Sequence, residues 1–161
     1  MIPDIRVGFG FDVHPMRDGR ALWLGGVHIA SERGLDGHSD ADVLIHAICD
    51  ALLGAAGLPD IGHYFPNTSE EWKGADSKIL LKEVVRLIGL DGWKVVNIDS
   101  SLVMEAPKIK PHLSEMKRTL ADCMHIDIAR VGIKATTNEK LGYVGAFEGA
   151  DAYAVALICK I

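Results

Sequence analysis

Two short stretches carry side chains that could do chemistry together. The first is Asp12-Val13-His14. In an extended segment residues two apart point to the same side, so Asp12 and His14 form a two-pronged clamp. The second is His38–Gly57, read HSDADVLIHAICDALLGAAG, where Asp42, His46 and Asp50 recur at spacings of four. That spacing puts all three on one helix face. Between Val43 and Ala56 nearly every other residue is apolar or small, the pattern of a buried helix. Unpaired buried polar groups are costly, so this polar line needs partners. Two imidazoles and a carboxylate, from His14, His46 and Asp12, suit Zn²⁺ with a fourth position open for substrate. Asp42 and Asp50 then orient His46 as outer carboxylates, or they cap and solvate the helix. A satisfied core histidine between two surface acids is the other reading of His46.

A second candidate is Lys134-Ala135-Thr136-Thr137-Asn138-Glu139-Lys140. A strand end dense in Lys, Thr and carboxylate suits a phosphate ester held with Mg²⁺, Lys supplying charge and Glu binding a hard cation. A polar strand end with a helix cap has the same spacing. Ala106-Pro107-Lys108-Ile109-Lys110 reads either as a base-reading, phosphate-meeting loop or as a solvated basic one. P-loop, dinucleotide fingerprint, H-E-x-x-H and nucleophile-elbow motifs are absent from the sequence.

The elements that must position these groups follow from hydrophobic period and punctuation. Ile5–Val13 is a strand ending in the clamp, and Pro15–Gly19 a turn. Ala21–Leu24 and Val27–Ala30 flank Gly25-Gly26 as a hairpin. Ser31–Gly37 reads as a mobile loop. Ser39 is the expected N-cap of the buried helix, with Asp42 in a capping-box-like place. Leu58–Ser69 is a loop, Ser77–Ile88 a helix ended by Gly89, and Val95–Met104 a strand. Pro111 starts a helix to about Met124. Arg130–Thr137 is a strand, Asn138–Gly149 a Gly-rich loop, and Asp151–Ile161 a strand buried on both faces. The expected fold is α+β: a mixed β-sheet covered by helices on one side, in one domain over residues 1–161.

Length and charge narrow the function. The chain has 161 residues, 48% of them hydrophobic, enough for one core. A net charge of −5 argues against nucleic acid as the main partner. No apolar run reaches the roughly 18–20 residues that span a bilayer. Residues 1–20 hold Asp4, Asp12 and Asp18 without an apolar core, so neither a signal nor a transit peptide is expected. Cys49, Cys123 and Cys159 form no metal-type spacing and suggest reduced thiols in a cytoplasmic protein.

The order of the motifs resembles one family, the 2-C-methyl-D-erythritol 2,4-cyclodiphosphate synthases of non-mevalonate isoprenoid biosynthesis. The matching segments are Gly10–His14, Gly37–Asp40, Asp42-Val43 with His46, Asp50–Ala56, Asp60–Gly62, Phe65-Pro66 and Lys73–Ser77. Ala106–Lys108, Pro111-His112, Lys134–Thr137, Glu139–Gly142 and Glu148-Gly149 complete the set across nearly the whole chain. The resemblance implies a homotrimer with active sites between subunits. It implies that the 2-phosphate of 4-diphosphocytidyl-2-C-methyl-D-erythritol 2-phosphate attacks the β-phosphorus of its own diphosphate, releasing CMP and the cyclic diphosphate. Asp12, His14 and His46 would hold Zn²⁺, and Glu139 would help hold Mg²⁺ or Mn²⁺ on the diphosphate. His38 and Thr137 would stabilise the transition state. Asp60, Ile61, Gly62, Phe65, Pro66, Asn67, Thr68 and Ser69 would hold the methylerythritol part, and Ser39 and Tyr143 would also bind substrate. Met104, Glu105, Ala106, Pro107, Lys108, Ile109 and Lys110, with Lys134, Ala135 and Thr136, would form the cytidine and diphosphate pocket from the adjacent subunit.

The chemistry fits. Nucleophile and electrophile belong to one substrate, so no protein nucleophile is needed. Metal ions and local lysines outweigh the acidic net charge. Asn67 stands where the family often has Asp, which changes the donor pattern of that contact. Ala146 stands where many members have Arg. In those members the arginines gather on the trimer axis around an isoprenoid diphosphate, and binding of such ligands is not expected here. A zinc phosphate-ester hydrolase is the first competing reading, but it needs a general base, for which only Asp60 is a candidate. A non-catalytic trimeric nucleotide- or isoprenoid-binding protein is the second.

Overall fold

In the computed structural model, residues 4–160 are described. Met1–Pro3, at the start of the segment read as carrying no signal peptide, and Ile161, the expected last strand residue, lie outside them. Strands β1 (Ile5–Asp18), β4 (Arg33–Leu35), β5 (Trp93–Val103), β6 (Val131–Thr136) and β7 (Gly149–Lys160) form a five-stranded sheet in the order β4-β1-β7-β5-β6. Only β5 and β6 pair in parallel, so the sheet is mixed. Strands β2 (Leu22–Leu24) and β3 (Val27–Ile29) make the separate hairpin expected at Gly25-Gly26. Helices α1 (Val43–Ala56), α3 (Ser77–Leu90) and α4 (Leu113–Met124) occupy the predicted helical segments, except that α3 continues through Gly89, its expected stop, to a C-cap at Asp91.

The seat of α1 on the sheet is decided by small residues. A Cβ on Gly8 would lie 1.9 Å from the Ala51 carbonyl oxygen, and one on Gly10 1.9 Å from that of Ala47. Across the pair, Ala150, Ala152, Ala154 and Ala156 of β7 are buried under the same helix face of the sheet. With no bulk between them, helix backbone and sheet backbone touch. That close approach brings His46, next to Ala47, over the side chains of β1.

Five other expectations need correction. The Pro15–Gly19 turn is strand up to Asp18, because β1 changes partner there: β7 pairs with it up to Pro15, then β4 pairs with Met16–Asp18. Pro15 sits at the handover, where its missing N–H is not needed and its carbonyl accepts from Asp36 N at 2.9 Å. The chain turns at Gly19, with φ +72°. For the same reason, the segment Ser31–Gly37 holds strand β4 rather than a free loop. The N-cap of α1 is Asp42, not Ser39; its carboxylate accepts from Ile45 N at 3.0 Å. The two expected loops carry short helices, α2 (Ile61–Tyr64) and α5 (Gly142–Gly145). Last, β7 is buried on one face only: its alanines are covered by α1, while Tyr153 and Val155 are exposed. On that open face they adjoin Val7, Phe9, Phe11 and Val13 of β1, which are 66%, 63%, 41% and 41% exposed.

Candidate active site

The clamp and the helix histidine meet as the spacing predicted. His14 Nε2 lies 2.9 Å from Asp12 Oδ2, and His46 Nδ1 lies 3.1 Å from both. Neighbouring donors on a tetrahedral ion with bonds of 2.0–2.1 Å stand about 3.3 Å apart. The three atoms thus form a triangle close to one face of such a tetrahedron. Among the described residues this is the one group of three His, Cys, Asp or Glu side chains so converged.

Electrostatics in the triad follow from burial and mutual contact. Burial works against the charged Asp12 carboxylate, but hydrogen bonds from His14 and His46, with their charge, outweigh it and bring the pKa down to about 2. Burial also opposes a charged His14; the Asp12 hydrogen bond and charge overcome this and raise its pKa. The triad therefore holds an ionised acceptor and a readily protonated imidazole until a cation displaces the proton.

Each imidazole has its other nitrogen satisfied. His14 Nδ1–H donates to the Asp36 carbonyl at 3.0 Å, which leaves Nε2 for the centre. His46 Nε2 sits 3.0 Å from Ser77 Oγ and 3.2 Å from Ser39 Oγ. Asp42 and Asp50, offered by the sequence as outer carboxylates for His46, do something else. Asp42 is fully buried and accepts from Gly25 N (2.9 Å) and Gly26 N (2.7 Å) as well as Ile45 N, tying the hairpin turn to α1. Burial, with the nearby Asp40 charge, raises its pKa. Asp50 accepts from Ile61 N at 2.8 Å and anchors the start of α2.

Beside the triad is a cavity of about 250 Å³ lined by His14, Gly37, His38, Ser39, His46, Ile61, Gly62, Phe65, Asn67, Trp72 and Leu80. Five of the expected substrate contacts (Ser39, Ile61, Gly62, Phe65 and Asn67) are thus gathered. Asp60, Pro66, Thr68 and Ser69 do not line it. Asp60 caps α2 by accepting from His63 N, and the Ser69 carbonyl accepts from His38 Nε2–H at 2.7 Å. That bond leaves Nδ1 as the free ring nitrogen of His38. Trp72 and Leu80 line the cavity without having been read as site residues; their apolar types carry no chemical signal.

A second cavity, about 350 Å³, is lined by Met104, Glu105, Pro107, Lys108, Ile109, Lys110, Leu113, Ala135, Thr136 and Thr137. It shares no residue with the first. Register places Asp12, Ala152, Leu102 and Ala135 in one row across β1, β7, β5 and β6. Three strand spacings make that row about 14 Å long. Within the second cavity Glu105 braces the backbone, since its carboxylate accepts from Asn138 N (3.0 Å) and Lys140 N (3.2 Å) and so holds the turn that carries Glu139. Glu139 is exposed, at φ +53°, with Thr137 Oγ1 3.5 Å from its carboxylate. Lys134 points away, its ammonium paired with Asp99 on the open face of the sheet. Tyr143 also lies apart. It lines a depression with Val13, Arg17 and Arg33, and its hydroxyl donates to Asp151 at 2.6 Å. That bond to a carboxylate, with burial and charge adding, pushes its pKa up to about 12.

With this geometry in place, the model of the YgbB family matches residues 5–159. The chain belongs to the YgbB family. Among YgbB relatives, the 2-C-methyl-D-erythritol 2,4-cyclodiphosphate synthase of Cytophaga hutchinsonii is 59% identical over 97% of this chain and 98% of its own length. That of Bacteroides fragilis is 55% identical over 98% and 99%. Among solved structures, a 2C-methyl-D-erythritol-2,4-cyclodiphosphate synthase bound to CDP superposes with a TM-score of 0.88, at 38% identity over 95% of this chain and 99% of that one. The bifunctional IspDF of Campylobacter jejuni superposes at 0.95 with 39% identity, covering 99% of this chain and 43% of that longer one.

Proposed function

We propose that this protein catalyses the cyclisation of 4-diphosphocytidyl-2-C-methyl-D-erythritol 2-phosphate to 2-C-methyl-D-erythritol 2,4-cyclodiphosphate and CMP. The observation that carries the reading is the Asp12–His14–His46 triangle on the rim of a cavity, in a chain of the YgbB family. An oxygen of the 2-phosphate attacks the β-phosphorus in line. The new P–O bond closes the ring, the bond from the β-phosphorus to the bridging oxygen breaks, and CMP takes the electron pair. No protein atom becomes bonded to substrate, so the chain folds the substrate and balances its charge.

Asp12, His14 and His46 hold Zn²⁺ in this reading, with Glu139 contributing to a Mg²⁺ or Mn²⁺ site. Bound there, the ions polarise phosphate oxygens and neutralise the charge that builds at the β-phosphorus. Ile61, Gly62 and Phe65 enclose the apolar face of the methylerythritol. His38, its Nε2–H committed to Ser69, meets phosphate as the imidazolium, whose Nδ1–H donates to a phosphate oxygen, and Thr137 offers its hydroxyl. The backbone of the Met104–Lys110 loop reads the cytosine, and Lys108 and Lys110 meet phosphate charge. Three free cysteines fit a cytoplasmic setting. Among the described residues no helix is long and apolar enough to cross a membrane.

The assembly in this reading is a homotrimer, with the nucleotide cavity of one chain completing the metal-side cavity of its neighbour. The open sheet face supports it: a contiguous apolar surface of β1 and β7 needs cover. A second copy is the natural occupant, since β1 lines that face with Val7, Phe9, Phe11 and Val13 while carrying Asp12 and His14 on its other side. Sedimentation is expected to give three times the 17.4 kDa chain mass. Val155→Asp, which places a charge in the middle of that face, is expected to give monomers and to lower turnover by about 100-fold or more, the cost of leaving a charge buried or the interface unmade. Monomeric wild-type protein with full activity would refute the shared site.

The reaction itself is tested with purified protein, Zn²⁺, Mg²⁺ and the diphosphocytidyl substrate, followed by ³¹P NMR. One cyclic diphosphate per CMP is the expected result. Linear phosphate products, or no turnover by folded, metal-loaded protein, would overturn it.

A further inference from the structure

We propose that Ser77, backed by Asp40, is a positioning residue that keeps the proton of His46 on Nε2 and so presents Nδ1 to the metal. This rests on the reading of Asp12, His14 and His46 as a divalent-cation site.

A neutral imidazole carries one proton and offers one lone pair, and which nitrogen binds a metal is set by the hydrogen bond the other makes. For His14 the partner is the Asp36 carbonyl, which can only accept. For His46 the nearest partner is a hydroxyl, Ser77 Oγ at 3.0 Å. A hydroxyl donates or accepts equally well, so by itself it selects neither tautomer. Asp40 removes the ambiguity. Its Oδ1 accepts the Ser77 hydroxyl proton, which leaves only lone pairs of Ser77 Oγ to face His46. A proton on His46 Nε2 then completes the chain His46 → Ser77 → Asp40. A proton on Nδ1, which the Asp12 carboxylate at 3.1 Å can accept while no cation is bound, would instead set the lone pairs of Nε2 and Ser77 Oγ against each other and block the centre, so Ser77 acts against that form and for the metal-binding one.

The relay is itself held. Asp40 Oδ1 accepts from Asp42 N at 3.1 Å, Oδ2 accepts from Ser77 N at 2.9 Å, and Asp40 N donates to the Ala75 carbonyl at 3.1 Å. Ser77 is fully buried at the first position of α3, just after its N-cap Asp76. One carboxylate therefore joins the starts of α1 and α3 behind the site. Ser39 also approaches His46 Nε2, at 3.2 Å, but it faces the cavity and accepts from Ala41 N at 3.3 Å. No carboxylate within hydrogen-bond reach fixes the direction of its own proton among the described residues. Ser39 cannot impose a tautomer as Ser77 does.

The test measures Zn²⁺ affinity by competition with a chromophoric chelator for wild type, Ser77→Ala and Ser77→Thr, alongside ¹⁵N-histidine NMR. Removing a second partner of a ligating histidine weakens metal binding by about 10–100-fold. Ser77→Ala is expected to show that loss, with a somewhat lower zinc-free melting temperature because Asp40 and His46 lose a buried partner, while Ser77→Thr, which keeps the hydroxyl, stays near wild type. In zinc-loaded wild type the His46 Nε2–H is expected as a slowly exchanging resonance, lost in Ser77→Ala. Equal zinc affinity in wild type and Ser77→Ala, equal losses in Ala and Thr variants, or a zinc-loaded wild-type His46 protonated on Nδ1 would each overturn the proposal. If Ser77→Ala does not fold, the wild-type spectrum decides. Wild type that binds no zinc would refute the metal reading and this proposal with it, whereas wild type that binds zinc with no loss in Ser77→Ala would refute the proposal alone.

Discussion

Replacing His46 by alanine is expected to abolish cyclic diphosphate formation while leaving the protein folded. The imidazole is one corner of the donor triangle, with Nδ1 3.1 Å from both other donors. Without it, two donors remain where a zinc site needs three from the protein. A Lewis acid on a reacting phosphate is worth several kcal/mol. About 4 kcal/mol corresponds to a fall in turnover of about 10³-fold. His46 is a largely buried residue in α1, and alanine suits a helix interior, so secondary structure is expected to survive. The ³¹P assay reads the rate, metal analysis reads the zinc content, and circular dichroism reads the fold. Full turnover by a zinc-free His46→Ala protein would remove the metal from the mechanism. Chelation of wild type is expected to reproduce the variant, with recovery on adding Zn²⁺ back.

Gly10→Ala is expected to cost nearly as much activity from a position that touches no substrate. The added Cβ would lie 1.9 Å from Ala47 O and 2.7 Å from Ala51 N, both backbone atoms that cannot rotate away. The helix must lift or the strand must bend. Overpacking of this kind costs about 3 kcal/mol or more. Because Ala47 follows His46, lifting α1 also draws one corner of the triangle away from Asp12 and His14. The expected outcome is a lower denaturation midpoint together with zinc content well below one per chain. Gly54→Ala on the same helix is the control: its Cβ would meet only Phe9 O, at 3.9 Å, and little change is expected. Equal stability of the two variants would show that the close helix–sheet contact does not place the site.

Much of this molecule was legible in local pattern. Alternation put Asp12 and His14 on one side of a strand, and an apolar run interrupted by His46 marked a buried helix; both hold in the fold. The start of α3, the end of α4, the Gly25-Gly26 hairpin and the loop around Pro107 were also readable, since caps, turns and prolines act within a few residues, but Gly89 did not stop α3, which runs on to Leu90. The order of motifs pointed to the family.

What the tertiary structure decided is which distant groups meet. Helical spacing offered Asp42 and Asp50 to His46, but spacing gives only the side of a helix and not what is packed there. The hairpin turn and the start of α2 arrive with unpaired N–H groups and take those carboxylates. Ser77, which sequence made only a helix start, reaches His46 from 31 residues away. Lys134 turns from phosphate to Asp99 because strand alternation sets its face. Likewise β7, apolar on both sides, is covered on one, because α1 packs on its alanines while Tyr153 and Val155 are exposed. Residue types and spacings determine local geometry and the inventory of chemistry; only packing assigns each polar group its partner, because hydrogen bonds are satisfied by whatever the fold brings within about 3 Å.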